Sequence, residues 1–418
     1  MRHGWLLYYL WILVIALPAA AAVNSPGTLY VGLKRFANAQ KLIISANSTF
    51  HIIDPQAKKI LLECEAGQVW ALTSINGKVH AVNGDNSLDC ESIEIFSPDE
   101  NIVQIGAFSE KLSRFHGRLL IKIVNGKLFA INDVGLESYL MGVVPSEMPS
   151  KWKVEALKAQ AVAARSYTVR GQHRHEADGY DLCDGVHCQC YLGMSAERES
   201  TNEAVRLTEG IVLTSDSQIA DCVYHAACGG ATAASTETGF GSAQPYLIGT
   251  SDLNGDNPYC AKCPRYTWTI NLTKDNIKTL LKSVKKDVGE VISLKIIAAG
   301  SSYRVQKVEI EGMSGKATVN GVSFRNCFGW DKFQSTRFTI EKNESGWLIN
   351  GTGYGHGVGL CQWGANGRAE AGQTFRQILE AYYPTTKLET LVSSDITELA
   401  SRGKPRTSIP PKKRALRK

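Results

Sequence analysis

The chain has 418 residues, 44% apolar and 21% charged, a globular balance long enough for one large or two medium domains with real cores. Its net charge of +6 is concentrated at the carboxy-terminal end, in Arg402, Lys404, Arg406, Lys412, Lys413, Arg414, Arg417 and Lys418. Without those eight, 38 basic residues face 40 acidic ones, so the body is near neutral, whereas a nucleic-acid-binding protein usually carries its positive charge on the folded body.

The amino terminus bears on the compartment. Arg2 and His3 form a short basic start, Leu6 to Leu17 is an uncharged apolar run, and Ala20-Ala21-Ala22 offers the small residues that a signal peptidase reads. The run stops at Pro18, short of the roughly 20 residues of a membrane span. Residues 1–22 therefore read as a cleaved signal peptide, with an uncleaved anchor as the alternative. Either way the protein is expected outside the cytoplasm, in the periplasm or cell-wall space. Eleven cysteines are many for such a chain. Disulfides are the default expectation there, and the odd count leaves at least one thiol unpaired or bound to metal.

Residues 23–125 read as a β-rich amino-terminal region. Strands are expected at Leu29–Leu33, Lys41–Ile44, Gln68–Leu72 and Leu119–Val124, with turns at Asn76-Gly77 and Asn83-Gly84. Residues 126–392 form a mixed α+β domain around an Ala-rich helix, expected from Lys151 to about His173 with Ser150 as its cap. Lys158 and Arg165 lie two turns apart on that helix, where charge must be paired or line a cleft. Strands follow at Ile211–Thr214, Ala220–His225, Ser293–Ile297, Val305–Glu311 and Arg337–Ile340, with helices near Thr273–Val284 and Thr374–Tyr382. The irregular mixture predicts an α+β fold rather than a doubly wound sheet. Residues 393–418 read as a basic solvated tail, suited to touching anionic wall polymer or membrane.

Three segments carry candidate chemistry. In the run from Gly135 to Pro149, Glu147 stands beside Met148 and near Val143 and Val144, close to the expected helix start. A carboxyl in apolar company holds its proton toward neutral pH, whereas an ordinary glutamate there merely pairs with a helix dipole. The second segment runs from Asp181 to Tyr191, followed by Val223 to Gly230. Its cysteines and histidine could bind zinc or form disulfides, and the spacing fits no standard finger. The third, Gly353 to Gly367, holds six glycines and displays His356, Gln362 and Trp363. It lacks the order of a phosphate loop; a polar, ring-bearing surface for a sugar and a structural turn are both consistent with it.

Glu137-x-Tyr139, Gly142-Val-Val, Ser146-Glu-Met-Pro149 and Glu155-Ala-Leu-Lys-Ala-Gln-Ala-Val-Ala-Ala-Arg165-Ser-Tyr167 resemble the core signature of the SpoIID/LytB family. Gly353-Tyr-Gly-His-Gly-Val-Gly, Gln362 with Gly364-Ala, and Tyr382-Tyr-Pro-Thr385 resemble its carboxy-terminal signatures. The resemblance spans roughly residues 28–390 and implies an enzyme that acts as a lytic transglycosylase on peptidoglycan glycan strands, cutting MurNAc–GlcNAc bonds with Glu147 as acid and base. It implies substrate-positioning roles for Lys158, Arg165, Tyr167, Tyr224, His356 and Gln362. It further implies a structural zinc on Cys183, Cys188 and a histidine, His175 or His187, with no cofactor needed for the chemistry. A non-catalytic amidase enhancer, partnered with a cell-wall amidase, is the alternative within the family. A zinc amidase is disfavoured because no His/Glu set has suitable ligand spacing. Two departures stand out: Ala226-Ala-Cys-Gly-Gly where many members have Ser-Thr-Ser-Gly-Gly, and Cys361-Gln-Trp-Gly where they have Ser-Gln-Tyr-Gly.

Overall fold

A computed structural model describes residues 27–239 and 241–391; the expected signal peptide and the basic tail lie outside the described residues. The fold is α+β and rich in strands. Two sheets make the amino-terminal half, both antiparallel except where the edge strand Leu182–Cys183 runs parallel to Leu29–Gly32. The seven-stranded sheet centres on Lys127–Val134, Arg118–Val124 and Ser92–Phe96, and the six-stranded sheet on Lys41–Ser45, Trp70–Ile75 and Lys78–Asn83. Strand residues alternate between buried and accessible, as in Arg118–Val124, so one face of each sheet enters a shared core of Leu42, Ile44, Leu72, Ile93, Ile95, Leu119 and Ile121. The turn at Asn76-Gly77 joins two strands with both residues at positive φ, as the Asn-Gly pair predicts.

The boundary expected at residue 125 falls inside a hairpin. Asn125 and Gly126, at φ 52° and 77°, turn Arg118–Val124 back onto Lys127–Val134. The same core continues into helix α1, Leu136–Glu147, through Leu136, Tyr139, Leu140, Val143 and Val144. The sheets and α1 are thus one folding unit rather than two domains. Sequence reasoning missed α1 because Gly142 and Pro145 interrupt its pattern. Pro145 sits in the last turn, and the Ser146 hydroxyl donates to the Gly142 carbonyl at 2.7 Å. Gly142 is required by close approach: a Cβ there would lie 2.6 Å from the Tyr191 ring.

Helix α2 spans Val154–Arg170, starting later than the expected Lys151. Ser150 does not cap it; residues after Pro149 make a turn, and the Lys153 amide donates to Asn366 at 3.0 Å. Nearly every residue from Ala156 to Thr168 is buried, as alanine on all faces requires. A short helix α3, Glu199–Arg206, packs on both. The second core, including Met148, Leu157, Val162, Leu213, Val223, Val358 and Leu360, lies on the far side of α2. Between Cys263 and Gly353 the chain forms a module with its own third core around Trp268, Leu280, Phe324, Phe333 and Trp347, containing helices α4, Lys274–Ser283, and α5, Gly321–Phe328. The expected domain 126–392 is therefore interrupted by an inserted unit. Helices α6, Gln362–Glu370, and α7, Phe375–Tyr382, then return to the second core.

Arg165 corrects an expectation. Its side chain is 0% exposed and forms a two-pronged pair with Glu137 at 2.8 and 2.6 Å, with further bonds to the carbonyls of Ile211 and Val205. It faces neither solvent nor a groove, so it has no surface to offer a substrate. Glu137→Ala leaves this buried guanidinium without its counter-charge and is expected to cost about 3–5 kcal/mol in urea unfolding, whereas Lys158→Ala, at a pair whose two side chains both reach solvent, is expected to cost about 1 kcal/mol. A loss for Glu137→Ala no larger than that for Lys158→Ala would show that the pair is not a structural keystone.

Candidate active site

Glu147 is the last residue of α1, not a residue at a helix start. The difference reverses its electrostatics, because a helix carboxy terminus carries partial negative charge and disfavours a carboxylate. Burial acts in the same direction and is the chief cause that raises the Glu147 pKa above its ordinary value of 4.5. Three segments bring donors to the carboxyl. The Cys190 amide donates to Oε1 at 2.8 Å, and the Tyr224 hydroxyl, the Gln362 side chain and the Cys190 thiol add side-chain bonds that partly offset the burial. The Gln362 amide also donates to the Glu147 backbone carbonyl at 3.2 Å. None of these partners is a carboxylate.

The donors are themselves oriented. Gln189 gives its amide nitrogen to the Tyr224 oxygen at 3.0 Å, which leaves the Tyr224 proton for Glu147. The Gln189 carbonyl is in turn fixed by Thr168 at 2.7 Å and Tyr139 at 3.2 Å. His356 stands behind Tyr224: its Nε2 lies 2.8 Å from the Tyr224 carbonyl, and its Nδ1 accepts from the Val358 amide at 3.2 Å. Burial pushes His356 down to about 3, so it is neutral and clamps the glycine-rich loop to Tyr224–His225. Tyr167 packs its ring edge-on to Tyr224 and accepts a hydrogen bond from Arg174. Trp152 and Trp363 flank the glutamate's segment and Gln362, with ring centroids 4.7 Å apart and both rings partly accessible.

The expected residues separate into two groups. Tyr224 and Gln362 reach Glu147; Tyr167 and His356 support Tyr224 from behind. Lys158 pairs instead with Glu155 at 2.8 Å, whose other oxygen accepts from the Phe375 amide at 2.7 Å at the start of α7. Sequence reasoning missed Cys190 and Gln189 as functional residues. Cys190 acts largely through its amide, which no side-chain pattern reveals.

The expected metal residues do converge: ligand atoms of His175, Cys183, His187 and Cys188 lie within 4.8 Å of one another. Cys188 Sγ is 3.4 Å from His175 Nε2 and 3.5 Å from His187 Nδ1. A His2Cys2 set of this kind fits a tetrahedral zinc. The set ends two residues before Cys190. No disulfide joins any of the eleven cysteines, against the expectation from an oxidising compartment, and five of them lie in two compact clusters of potential metal ligands.

A family model described as "Stage II sporulation protein" (SpoIID) matches residues 124–215, and one described as "Domain of unknown function (DUF8618)" matches residues 251–359, bracketing the inserted module. The chain belongs to the SpoIID/LytB family. Stage II sporulation protein D of Bacillus subtilis is 31% identical over 62% of this chain and 76% of its own length. An uncharacterized protein of Brachyspira hyodysenteriae is 32% identical over 64% of this chain and 70% of its own. An amidase enhancer of Bacillus subtilis is 31% identical over 60% of this chain, and the match spans only 40% of that relative's length.

Removing a donor from a carboxylate raises its pKa. Tyr224→Phe is therefore expected to move the Glu147 titration midpoint further up. A carbon-13 NMR titration of the carboxyl, assigned against Glu147→Gln, checks this. An unchanged or lowered midpoint would mean that Tyr224 does not donate to it. Because burial sets the folded-state pKa above the unfolded one, ionising Glu147 weakens the fold as pH rises through that midpoint.

Proposed function

We propose that this protein is a lytic transglycosylase of peptidoglycan, cleaving MurNAc–GlcNAc β-1,4 bonds in glycan strands, preferably strands stripped of stem peptides. One observation carries the reading: a single carboxyl with a raised pKa, whose hydrogen-bond partners among the described residues are donors and include no second carboxylate. Protonated Glu147 gives its proton to O4 of the leaving GlcNAc as the C1–O4 bond breaks. The resulting carboxylate takes the proton of the muramyl C6 hydroxyl, whose oxygen closes on C1 to form the 1,6-anhydro ring. The proton count balances, no water is consumed, and Glu147 ends protonated for the next turn. Hydrolytic glycosidases need a second carboxylate for the nucleophile or the water. Tyr224 and Gln362 would hold the carboxylate between the two transfers, and Trp152 with Trp363 would offer ring surface to a sugar.

The relatives named for sporulation and amidase enhancement support a role at the cell wall. The substrate lies outside the cytoplasm, as the amino-terminal sequence leads one to expect. Among the described residues no helix is long and apolar enough to cross a membrane. The alternative is a non-catalytic wall-binding protein that stimulates an N-acetylmuramoyl-L-alanine amidase, favoured by the name of one relative. Incubation with amidase-treated peptidoglycan, read by mass spectrometry, separates the two. Wild type should release anhydromuropeptides or anhydrodisaccharides, and Glu147→Gln should lose at least about a hundredfold of that rate, the lower range for a general acid. No release by wild type under these conditions would leave the enhancer reading standing. Products with reducing MurNAc ends would make the protein a muramidase.

A structural zinc on His175, Cys183, His187 and Cys188 belongs to the same reading. It would hold the loop that delivers Cys190 and supply no step of the reaction. Cys183→Ser is expected to lose that zinc and to speed hydrogen exchange at the Cys190 amide. Undiminished metal content would refute the assignment.

A further inference from the structure

Cys228, Asp252, Cys260 and Cys361 are all buried, and their ligand atoms lie within 4.8 Å of one another. They come from three separate places: the loop after Tyr224, the segment leading into the inserted module, and the cap of α6. Cys228 and Cys361 are the two positions where the chain has cysteine and many family members have serine, so both departures meet at one point.

The separation of the thiols distinguishes between bonding modes. Cys228 and Cys260 sulfurs are 3.6 Å apart. A tetrahedral zinc with ligands at about 2.3 Å sets sulfurs about 3.8 Å apart, whereas a disulfide draws them to about 2.05 Å. A disulfide would also leave the third thiol and the carboxylate unexplained.

The surroundings suit thiolates. Cys361 Sγ accepts from the amides of Cys228 at 3.1 Å and Gly364 at 3.3 Å, the latter at the amino-terminal end of α6. Cys228 Sγ accepts from the Gly230 amide at 3.3 Å, where Gly229 and Gly230 at φ 83° and 106° turn the backbone onto the sulfur. Asp252 directs one oxygen at Cys228 and gives the other to Arg368 at 3.0 Å and Tyr382 at 2.8 Å, an outer shell that fixes a ligand's direction. Arg304 is wholly buried beside Cys228 and Cys361. It donates to the Cys228 carbonyl at 2.9 Å, while its Nε and Nη1 have no hydrogen-bond partner. A buried cation of this kind requires nearby negative charge. Three thiolates and one carboxylate carry four negative charges, enough to offset a divalent ion together with Arg304 and Arg368, and Arg337 beside Gly229 and Gly230 adds further positive charge nearby.

We propose that Cys228, Cys260, Cys361 and Asp252 form a second, structural zinc site. Binding displaces three thiol protons and leaves the ion closed to water. It ties the strand end that carries Tyr224 to the helix cap that precedes Gln362, and both to the root of the inserted module. The site acts by positioning and does not depend on the glycan chemistry.

The test uses the full-length protein with the first cluster removed by Cys183→Ser and Cys188→Ser, loaded with zinc, desalted and assayed by plasma mass spectrometry. About one zinc per chain is expected, falling to near zero in a further Cys361→Ser change. Should that variant not fold, cobalt substitution of its parent decides. Strong thiolate-to-cobalt charge transfer with tetrahedral d–d bands supports the site, and their absence refutes it. A parent that binds no zinc, or whose main species carries a Cys228–Cys260 disulfide in non-reducing peptide mapping, overturns the proposal.

Discussion

The hydrogen bond from the Cys190 amide to Glu147 joins the two parts of the molecule on which everything else at the site depends. Glu147 closes α1, whose apolar face is continuous with the core of the two sheets. Cys190 lies on a loop whose strand Leu182–Cys183 adds to the edge of the seven-stranded sheet. Both partners are therefore referred to one rigid frame. Burial and the helix carboxy terminus both raise the pKa of this carboxyl, and the donors act against that rise.

The remaining donors arrive from the other side of α2. Tyr224 and Gln362 belong to segments paired through the short parallel contact of Tyr224–His225 with Leu360–Cys361. His356 bridges the Tyr224 carbonyl and the Val358 amide, so the glycine-rich loop and the tyrosine move as one. Polar contacts of this kind are directional and lose much of their value with small displacements. The two ligand clusters lie where such displacement would enter, one before Cys190 and one between Tyr224 and Gln362. Metal ions held there would confine the loops without adding apolar core.

Much of the site's identity was legible in the sequence, but its geometry was less so. Glu147 stood out through its flanking signature, yet its position at the end of α1 was hidden by Gly142 and Pro145. Periodicity on Ala-rich α2 correctly demanded that Arg165 be paired or line a cleft. The partner proved to be Glu137, 28 residues away on that unrecognised helix, so the cleft reading failed. The first ligand cluster was visible because its residues fall within fourteen positions of one another. The second was not, because Cys228 and Cys361 are separated by 133 positions and meet only through folding. The sheets were easier, since alternation and Asn-Gly turns are local signals.

The inserted module explains how so distant a pair can be held. Its first strand, Thr267–Leu272, pairs with its last, Gly346–Thr352, so the insertion leaves and returns at adjacent points. Thr267 faces Thr352 across that pair, which brings the chain just after Cys263 against the chain just before Gly353. With its own core around Trp268 and Phe324, the module can fold without borrowing apolar surface from its host. Its entropic demand on the host is that of a short loop, because the closure cost grows only slowly with length. Asp252 and Cys260 precede the module and Cys361 follows it, so the second cluster sits at its root. The module also meets its host away from that root: Arg304 donates to the Cys228 carbonyl, and the Ser301 and Ser302 hydroxyls donate to Glu237. A metal ion at the root would tie these contacts to the helix cap that precedes Gln362.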